Sequence, residues 1–117
     1  MNGVISDLTI NQGDDKKIEV SFFDESGEVL DITGWTIYFA IATSLVGQDL
    51  FNTTITDHSD PTGGVTAINI PRASSIDFPI GVNVAGVRVK TDADEVKTVT
   101  INKFFVKRAV PSTISED

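Results

Sequence analysis

The chain has no cysteine and only one histidine, His58, among its 117 residues. Without cysteine it forms neither a disulfide bond nor a thiolate metal site. A single histidine leaves it short of the side chain that most often serves as general base and as metal ligand near neutral pH. We therefore expect a protein that is not an enzyme and that uses no cofactor and no bound metal.

Basic residues are also scarce. Nine Lys and Arg face seventeen Asp and Glu, which gives a net charge of −8 and a sequence pI near 4.4. Nucleic acids and anionic membranes are polyanions that select for clustered Lys and Arg. No apolar run approaches the roughly 20 residues that span a bilayer, and the first residues lack the basic and apolar segments of a signal peptide. We expect no nucleic-acid partner, no membrane partner and no secretion-type processing.

Residues branched at Cβ dominate instead. Val, Ile and Thr occur thirteen times each, 39 of 117 residues, whereas Leu occurs four times. Branching at Cβ favours pleated strands over helices. No ten-residue stretch carries a helical apolar stripe, while period-two alternation recurs between turn residues. The pattern predicts an all-β sandwich or barrel of seven to eight strands in one domain, residues 1–110, followed by a C-terminal tail, residues 111–117.

Local patterns set the predicted elements. Asp24 to Glu28 predicts a hairpin turn in which Gly27 takes a positive φ, and residues 71–77 predict one short helical turn. Changes in the phase of alternation predict β-bulges at 85–86 and at 102–103. Strands are predicted at 6–10, 16–23, 29–32, 35–43, 49–56, 65–70, 81–91 and 95–108.

Three polar clusters are candidates for reactive or metal sites. The run from Asp57 to Asp60 contains Asp, His and Ser, but neighbours in one loop cannot align as nucleophile, base and orienting acid, so we interpret it as a solvated loop. Asp92 to Glu95 resembles the start of a calcium loop without its glycine and later bidentate acid. An ordinary charged hairpin is favoured there, with calcium binding left open. Asp14-Asp15, beside two lysines, is interpreted as a turn with local charge balance.

Aromatic side chains provide the candidate contacts. Phe23 and Phe105 have outward parity on their strands because Phe22 and Phe104 have the inward one. Exposed large aromatic side chains often mark protein contacts. The predicted interface residues are Phe23, Tyr38, Phe105 and, in the tail, Pro111.

A sugar-binding platform is the alternative use of aromatic rings. Trp35 and Tyr38 lie three residues apart on one predicted strand, so they point to opposite faces. They therefore cannot stack together on one sugar.

The order of the turn and strand motifs resembles a phage module. The motifs are Gly13-Asp14, Asp24 to Gly27, Asp31 to Gly34, Trp35 to Ile41, Pro79 to Gly81 and Phe104 to Val106. In this order they resemble the immunoglobulin-like domain at the N-terminus of bacteriophage baseplate upper proteins and related tail and virion proteins. The resemblance implies an immunoglobulin-like, two-sheet antiparallel β-sandwich.

The resemblance also implies a role. Domains of this kind are non-catalytic virion structural proteins, made in the host cytoplasm, that act in the tail or baseplate as adaptors for neighbouring subunits or fibres. We expect a homo-oligomer in a symmetric assembly, whose acidic surface meets basic patches on a neighbouring virion protein. One alternative is a capsid decoration protein on the head surface. An alternative of another class is a carbohydrate-binding β-sandwich module for host recognition.

Overall fold

The computed structural model describes residues 1–44, 47 and 49–108. The predicted tail, with Pro111, lies outside the described residues. The described part contains eight strands and one short helix. The strands are β1 (Asn2–Ile5), β2 (Thr9–Asn11), β3 (Lys16–Phe23), β4 (Thr36–Ala42), β5 (Asp49–Ile55), β6 (Val65–Ile70), β7 (Gly81–Lys90) and β8 (Val96–Lys107), and the helix is α1 (Arg72–Ser75). The all-β prediction is confirmed.

The strands form two sheets. One has the order β1-β3-β6 and the other the order β2-β8-β7-β4-β5. The prediction of an immunoglobulin-like β-sandwich is therefore confirmed. Its strands pair antiparallel with one exception in the described part, the β2–β8 pair, which is parallel.

The first predicted strand, 6–10, is wrong, because the chain changes sheet within it. β1 pairs with β3 in the smaller sheet and β2 pairs with β8 in the larger one. Asp7 lies at this crossing, where one carboxylate oxygen accepts the Thr9 amide at 3.0 Å and the other accepts Lys16 Nζ at 2.5 Å. The Leu8 carbonyl accepts the Phe105 amide at 2.8 Å. Two backbone groups at the crossing, the Thr9 amide and the Leu8 carbonyl, are therefore hydrogen-bonded although they lie between the two strands or at the start of the second.

The core lies between the two sheets, where alternate residues of each strand meet. On β3, Ile18, Val20 and Phe22 are fully buried, as their alternation predicts. From the opposite sheet, Phe39 and Phe104 are also buried. Burial of these side chains is the main force that holds the sheets together.

The turn after β3 follows the prediction, but the strand after it does not. Asp24 Oδ1 accepts the amides of Ser26 and Glu28, and Gly27 has φ 90°. The predicted return strand, 29–32, is wrong, because one isolated bridge joins Val29 to β3 before the chain turns inward. Ile32 then enters the core and donates its amide to the carbonyl of Pro61 at 2.9 Å.

Both predicted bulges are wrong. Pairing along β7 is continuous through 85–86. Val82 and Val84 lie on its outer face, and Val87 and Val89 lie buried on its inner face. Because apolar residues lie on both faces of β7, the sequence falsely indicates a change in the phase of alternation there. The β7–β8 register shifts instead where Val87 pairs with Thr100 and Arg88 pairs with Thr98, which leaves Val99 as the extra residue in β8.

The short helix confirms the predicted helical turn near Pro71. Its first amide, from Arg72, is accepted by Asp15 Oδ1 at 2.7 Å, and Ser75 Oγ donates to the Asp14 carbonyl at 2.6 Å. The Asp14-Asp15 turn therefore anchors this helix. In the described part, no helix has the length and apolar character needed to span a membrane.

Candidate functional site

The loop around His58 is organised by hydrogen bonds to the fold. His58 Nε2 lies 2.8 Å from the Trp35 carbonyl oxygen, so this nitrogen carries the hydrogen and donates it. His58 Nδ1 then accepts the hydroxyl of Thr66 at 3.0 Å, and Thr66 is fully buried. Both ring nitrogens are thus engaged, and His58 links its loop to β6 and to the residue that precedes β4.

The acidic turns also have structural roles. In the β7–β8 hairpin, the Thr91 amide donates to the Glu95 carbonyl at 2.9 Å, and Asp94 lies 3.4 Å from Lys90 Nζ. Within residues 1–44, 47 and 49–108, no three His, Cys, Asp or Glu side chains are grouped so that they could hold a metal ion.

Trp35 and Tyr38 lie apart, as predicted. Trp35 is 8% exposed and packs its ring edge-on against Phe22, with a centroid separation of 6.3 Å. Tyr38 is 37% exposed on the outer face of β4. The prediction that the two rings occupy opposite faces is confirmed.

The structure brings together two of the predicted interface residues. Tyr38 and Phe105, which is 42% exposed, both lie on the outer face of the five-stranded sheet. Phe23 is half-buried on the outer face of the other sheet, where it pairs with Asn2. Pro111 lies outside the described residues.

We use the term outer face for the solvent-facing surface of the five-stranded sheet. It is formed by the outward side chains of β2, β8, β7, β4 and β5. Strand register aligns its side chains in rows across the sheet. One row runs Thr54, Tyr38, Arg88 and Thr98, and the next runs Asn52, Ala40, Gly86 and Ile101.

The centre of the outer face is a shallow depression. Ala40 and Gly86 have small side chains or none, while Tyr38, Arg88 and Ile101 project around them. The depression has a volume of about 730 Å³. Its floor is therefore close to the backbone of the sheet.

Apolar side chains are concentrated on the outer face. It carries five of the nine large hydrophobic side chains that are exposed in the described residues. They are Tyr38, Val82, Val96, Ile101 and Phe105. Sequence reasoning missed Val82, Val96 and Ile101. Uninterrupted alternation along β7 was the signal for Val82, and the assumed bulges obscured it.

The charge of the outer face is opposite to that of the chain. The described strands of the five-stranded sheet contain one acidic residue, Asp49, at the start of β5. The outward basic residues are Arg88, Lys90, Lys103 and Lys107. A chain with a net charge of −8 therefore has a sheet face on which basic side chains predominate.

Comparison with known proteins identifies a fold and no family. No protein-family model matches the chain, and no characterised protein matches it in sequence. Among solved structures, it is similar to CopC from Methylosinus trichosporium OB3b. The TM-score is 0.55 at 14% identity, over 92% of this chain and 93% of CopC. At this identity, the similarity concerns the fold.

The resemblance to the phage baseplate domain is wrong. A solved structure similar to this chain is CopC, and none of the comparisons points to a phage virion domain. The motifs that carried the resemblance form turns. Asp24 accepts the amides of its own turn, and Asp31 Oδ1 accepts the amide of Thr33 at 3.0 Å and its hydroxyl at 2.6 Å. Such Asx turns occur wherever short strands are connected, so they do not identify a family.

Proposed function

We propose that this protein is a non-catalytic interaction module that binds an acidic, partly apolar protein surface through its outer face. The observation that carries this proposal is the coincidence of exposed apolar side chains and basic side chains on one sheet face of an acidic protein. The engagement of both His58 nitrogens in the fold supports the non-catalytic part.

The apolar part of the outer face favours docking. Val82, Val96 and Ile101 are 58%, 50% and 53% exposed, so each has much surface to remove from water. Val82 pairs with Phe105, so these two exposed side chains are neighbours, and exposed apolar groups of this kind often mark protein interaction sites. Tyr38 and Arg88 lie side by side across the β4–β7 pair at the edge of the depression. Tyr and Arg are the residue types that most often dominate binding energy at interfaces.

The basic part of the outer face defines the partner. Arg88, Lys103 and Lys107 attract acidic groups and repel basic ones, so they favour an apolar partner surface that also carries acidic groups. An acidic partner is the reverse of what the net charge predicts, because the net charge predicts that an acidic surface of this protein meets basic patches on a neighbour. Charge at the contact, rather than over the whole chain, determines complementarity.

The proposed function is binding through the outer face, whatever the assembly in which the partner occurs. An adaptor role in a tail or baseplate and a decoration role on a capsid stay predictions from the sequence, and neither is needed for the docking chemistry. For carbohydrate binding, the alternative from another class, the geometry offers less, because Trp35 packs against Phe22 and is absent from the outer face.

Site-specific photo-crosslinking tests the proposal. A benzophenone amino acid replaces Tyr38 in the full chain, produced in its native cells. The matched control carries it at Ile76, which is 52% exposed next to α1. We expect a protein to crosslink at position 38 and not at position 76, through peptides rich in Asp, Glu and apolar residues.

Charge reversal then tests whether basic side chains contribute to binding. The partner identified by crosslinking is purified separately for this measurement. Arg88→Glu combined with Lys103→Glu should raise Kd at least about tenfold at 150 mM salt. The control, Lys17→Glu with Arg72→Glu, makes the same charge change away from the outer face and should change Kd less than about twofold. Three results would overturn the proposal. They are equal effects of the two double variants on Kd, crosslinking at position 76 alone, and binding of an oligonucleotide at the outer face.

A further inference from the structure

A depression at one end of the sandwich, which we call the end pocket, lies between the turn after β3 and the β7–β8 hairpin. Its volume is about 630 Å³, within the range of ligand-binding pockets. It is lined by residues 24–26 of the turn, by residues 91–93, 95 and 97 of the hairpin, and by Met1, Leu30 and Trp35. None of these residues lines the depression on the outer face, so the two are separate sites.

Trp35 places a hydrogen-bond donor in the end pocket. The residue is 8% exposed, and its indole Nε1 has no hydrogen-bond partner in the part of the chain that the structure describes. No fully buried side-chain nitrogen in that part lacks a partner, so Nε1 reaches the small exposed portion of Trp35, which lines the end pocket. Indole N–H groups usually have a partner when the residue is buried. This one is therefore available to an acceptor from outside the chain.

The indole is held in position by the fold. The Trp35 amide donates to the Ile32 carbonyl at 3.0 Å, and the Trp35 carbonyl accepts His58 Nε2 at 2.8 Å. The ring packs edge-on against Phe22. A ligand therefore meets a donor that is already ordered, and little further entropy is lost on binding.

The rim of the end pocket carries excess negative charge. Four acidic side chains line it, and two of them lie near a cation. Glu25 lies 3.8 Å from the Met1 amino group. Glu95 lies 3.5 Å from Lys97 Nζ. The two acids with no cation within 4.0 Å among the described residues are Asp24 and Asp92.

These two acids favour an organic cation over a metal ion. The hydrogen bond from Ser26 is the largest cause that lowers the pKa of Asp24 below its usual 3.8, so this carboxylate is ionised at neutral pH. Within residues 1–44, 47 and 49–108, however, no three acidic or histidine side chains are close enough together to hold a metal ion. An ammonium group needs no closed shell of ligands, and its flexible stem lets it reach separated carboxylates.

We propose that the end pocket binds a lysine residue of a peptide, whose backbone carbonyl accepts the indole N–H of Trp35. The aliphatic stem then lies against Leu30, which is half-buried, and the ammonium group lies near Asp24 and Asp92. A neutral carbonyl suits the donor, because the acidic rim repels a carboxylate. This ligand is basic, whereas the partner proposed for the outer face is acidic, so the two sites select different partners.

NMR titration of the isotope-labelled full chain tests this binding. The chain has one tryptophan, so the indole N–H of Trp35 gives a single resonance that reports on the end pocket. The probe is N-acetyl-lysine methylamide, which has the ammonium group, the stem and backbone carbonyls. The matched probe, N-acetyl-norleucine methylamide, lacks the ammonium group, and pentylamine lacks the carbonyls. At equal ionic strength, we expect the lysine probe to shift the indole resonance and to have a Kd at least about tenfold lower than either of the others.

Two exposed aspartates provide the variant and its control. Asp92→Asn should raise the Kd of the lysine probe at least about fivefold, because it removes one of the two acids that have no cation of their own. Asp77→Asn makes the same charge change before the start of β7, a ten-residue strand whose other end leads to the hairpin. It should change the Kd less than about twofold, because it is far from the end pocket.

The inference is wrong if the indole resonance of Trp35 does not move with about 50 mM lysine probe. It is also wrong if the norleucine probe or pentylamine binds as tightly as the lysine probe, or if the two aspartate variants have equal effects. Pentylamine binding as tightly would identify a free amine as the ligand. The charge reversals on the outer face leave the end pocket unchanged, so failure of the docking proposal does not affect this test.

Discussion

A β-carbon built on Gly64 would lie 2.5 Å from the carbonyl oxygen of Leu30 and 2.9 Å from that of Phe22. The glycine has φ 74°, in the left-handed region. Its own carbonyl accepts the Phe22 amide at 2.8 Å, and the Phe22 carbonyl accepts the Leu30 amide at 3.1 Å. Three chain segments therefore meet where only a residue without a side chain fits.

The first prediction concerns this crossing. Gly64→Ala should lower the free energy of unfolding by more than about 3 kcal/mol, because strain at positive φ adds to a clash with backbone atoms that cannot move independently. Gly13→Ala is the control. It has a similar φ of 87° but nothing within 4 Å of the added carbon, so it should cost about 1–2 kcal/mol. Urea denaturation measures both, and equal losses would show that packing at Gly64 is unimportant.

The second prediction concerns His58 as a structural link. His58→Ala should lower the free energy of unfolding by about 1–3 kcal/mol, because the buried hydroxyl of Thr66 and the Trp35 carbonyl lose their partner. Adding Thr66→Val should recover part of that loss, because the valine buries no unpaired hydroxyl. A double-mutant cycle by chemical denaturation measures the coupling, and strictly additive effects would contradict the link.

The third prediction compares two adjacent phenylalanines. Phe104 is fully buried, whereas Phe105 is 42% exposed. Phe104→Ser should lower the free energy of unfolding by more than about 3 kcal/mol, because it leaves a cavity and buries a hydroxyl. Phe105→Ser should cost less than about 1 kcal/mol and leave the circular dichroism spectrum unchanged. If Phe105→Ser unfolds the protein, this ring belongs to the core and not to a docking surface.

The fourth prediction is a dependence of stability on pH. The hydrogen bond from Lys16 is the largest cause that lowers the pKa of Asp7 below its usual 3.8, and the amide of Thr9 adds to it. A carboxyl with a lowered folded pKa contributes stability above its unfolded pKa and loses it as pH falls through the folded value. The free energy of unfolding should therefore decrease as pH falls below about 4.

Replacement of Asp7 isolates this contribution. Asp7→Asn should cost about 0.5–1 kcal/mol at pH 7, a small value because the Asp7 side chain is 41% exposed, and less at pH 2. The same replacement in a Lys16→Met background should have a smaller cost at pH 7. A cost that is equal at both pH values would contradict the role of the ion pair.

The fifth prediction concerns the floor of the depression. A β-carbon at Gly86 would have the Thr100 carbonyl oxygen as its nearest neighbour, at 4.0 Å. Gly86→Val should therefore fit, and should raise the free energy of unfolding by about 0.5–1 kcal/mol because valine suits a strand better than glycine. It should also weaken binding at the outer face, because it fills the depression.

Gly3→Val is the counterpart. Its β-carbon would lie 2.6 Å from Val99 Cγ1, so this substitution should destabilise the protein. Thermal denaturation compares the two. A loss of more than about 2 kcal/mol for Gly86→Val would show that the depression is not free space.

The sequence predicted the fold class well because alternation and turn chemistry act locally. Lys16–Phe23 was predicted with its observed bounds, and Asp24 and Gly27 form the predicted turn. The sheet change at Asp7 depends on partners distant in sequence, such as Lys16 and Phe105. Local patterns do not contain that information.

The candidate site was predicted only in part, for a related reason. The outward parity of Tyr38 and Phe105 is visible in their own strands, but their presence on one face depends on the order in which β4, β7 and β8 pair. The basic character of the face was hidden for the same reason. Arg88 and Lys103 are distant in sequence from most of the acids that dominate the net charge, and only register places them together.

The parallel pairing of β2 with β8 has a mechanical consequence. Thr9 pairs with Phe105 and Asn11 with Lys107, so the upstream end of β2 and the downstream end of β8 lie at opposite ends of one short ladder. Tension between Thr9 and Lys107 therefore loads its hydrogen bonds in shear, all at once, instead of opening them one after another. A sandwich connected in this way resists being pulled apart along the direction of its own chain.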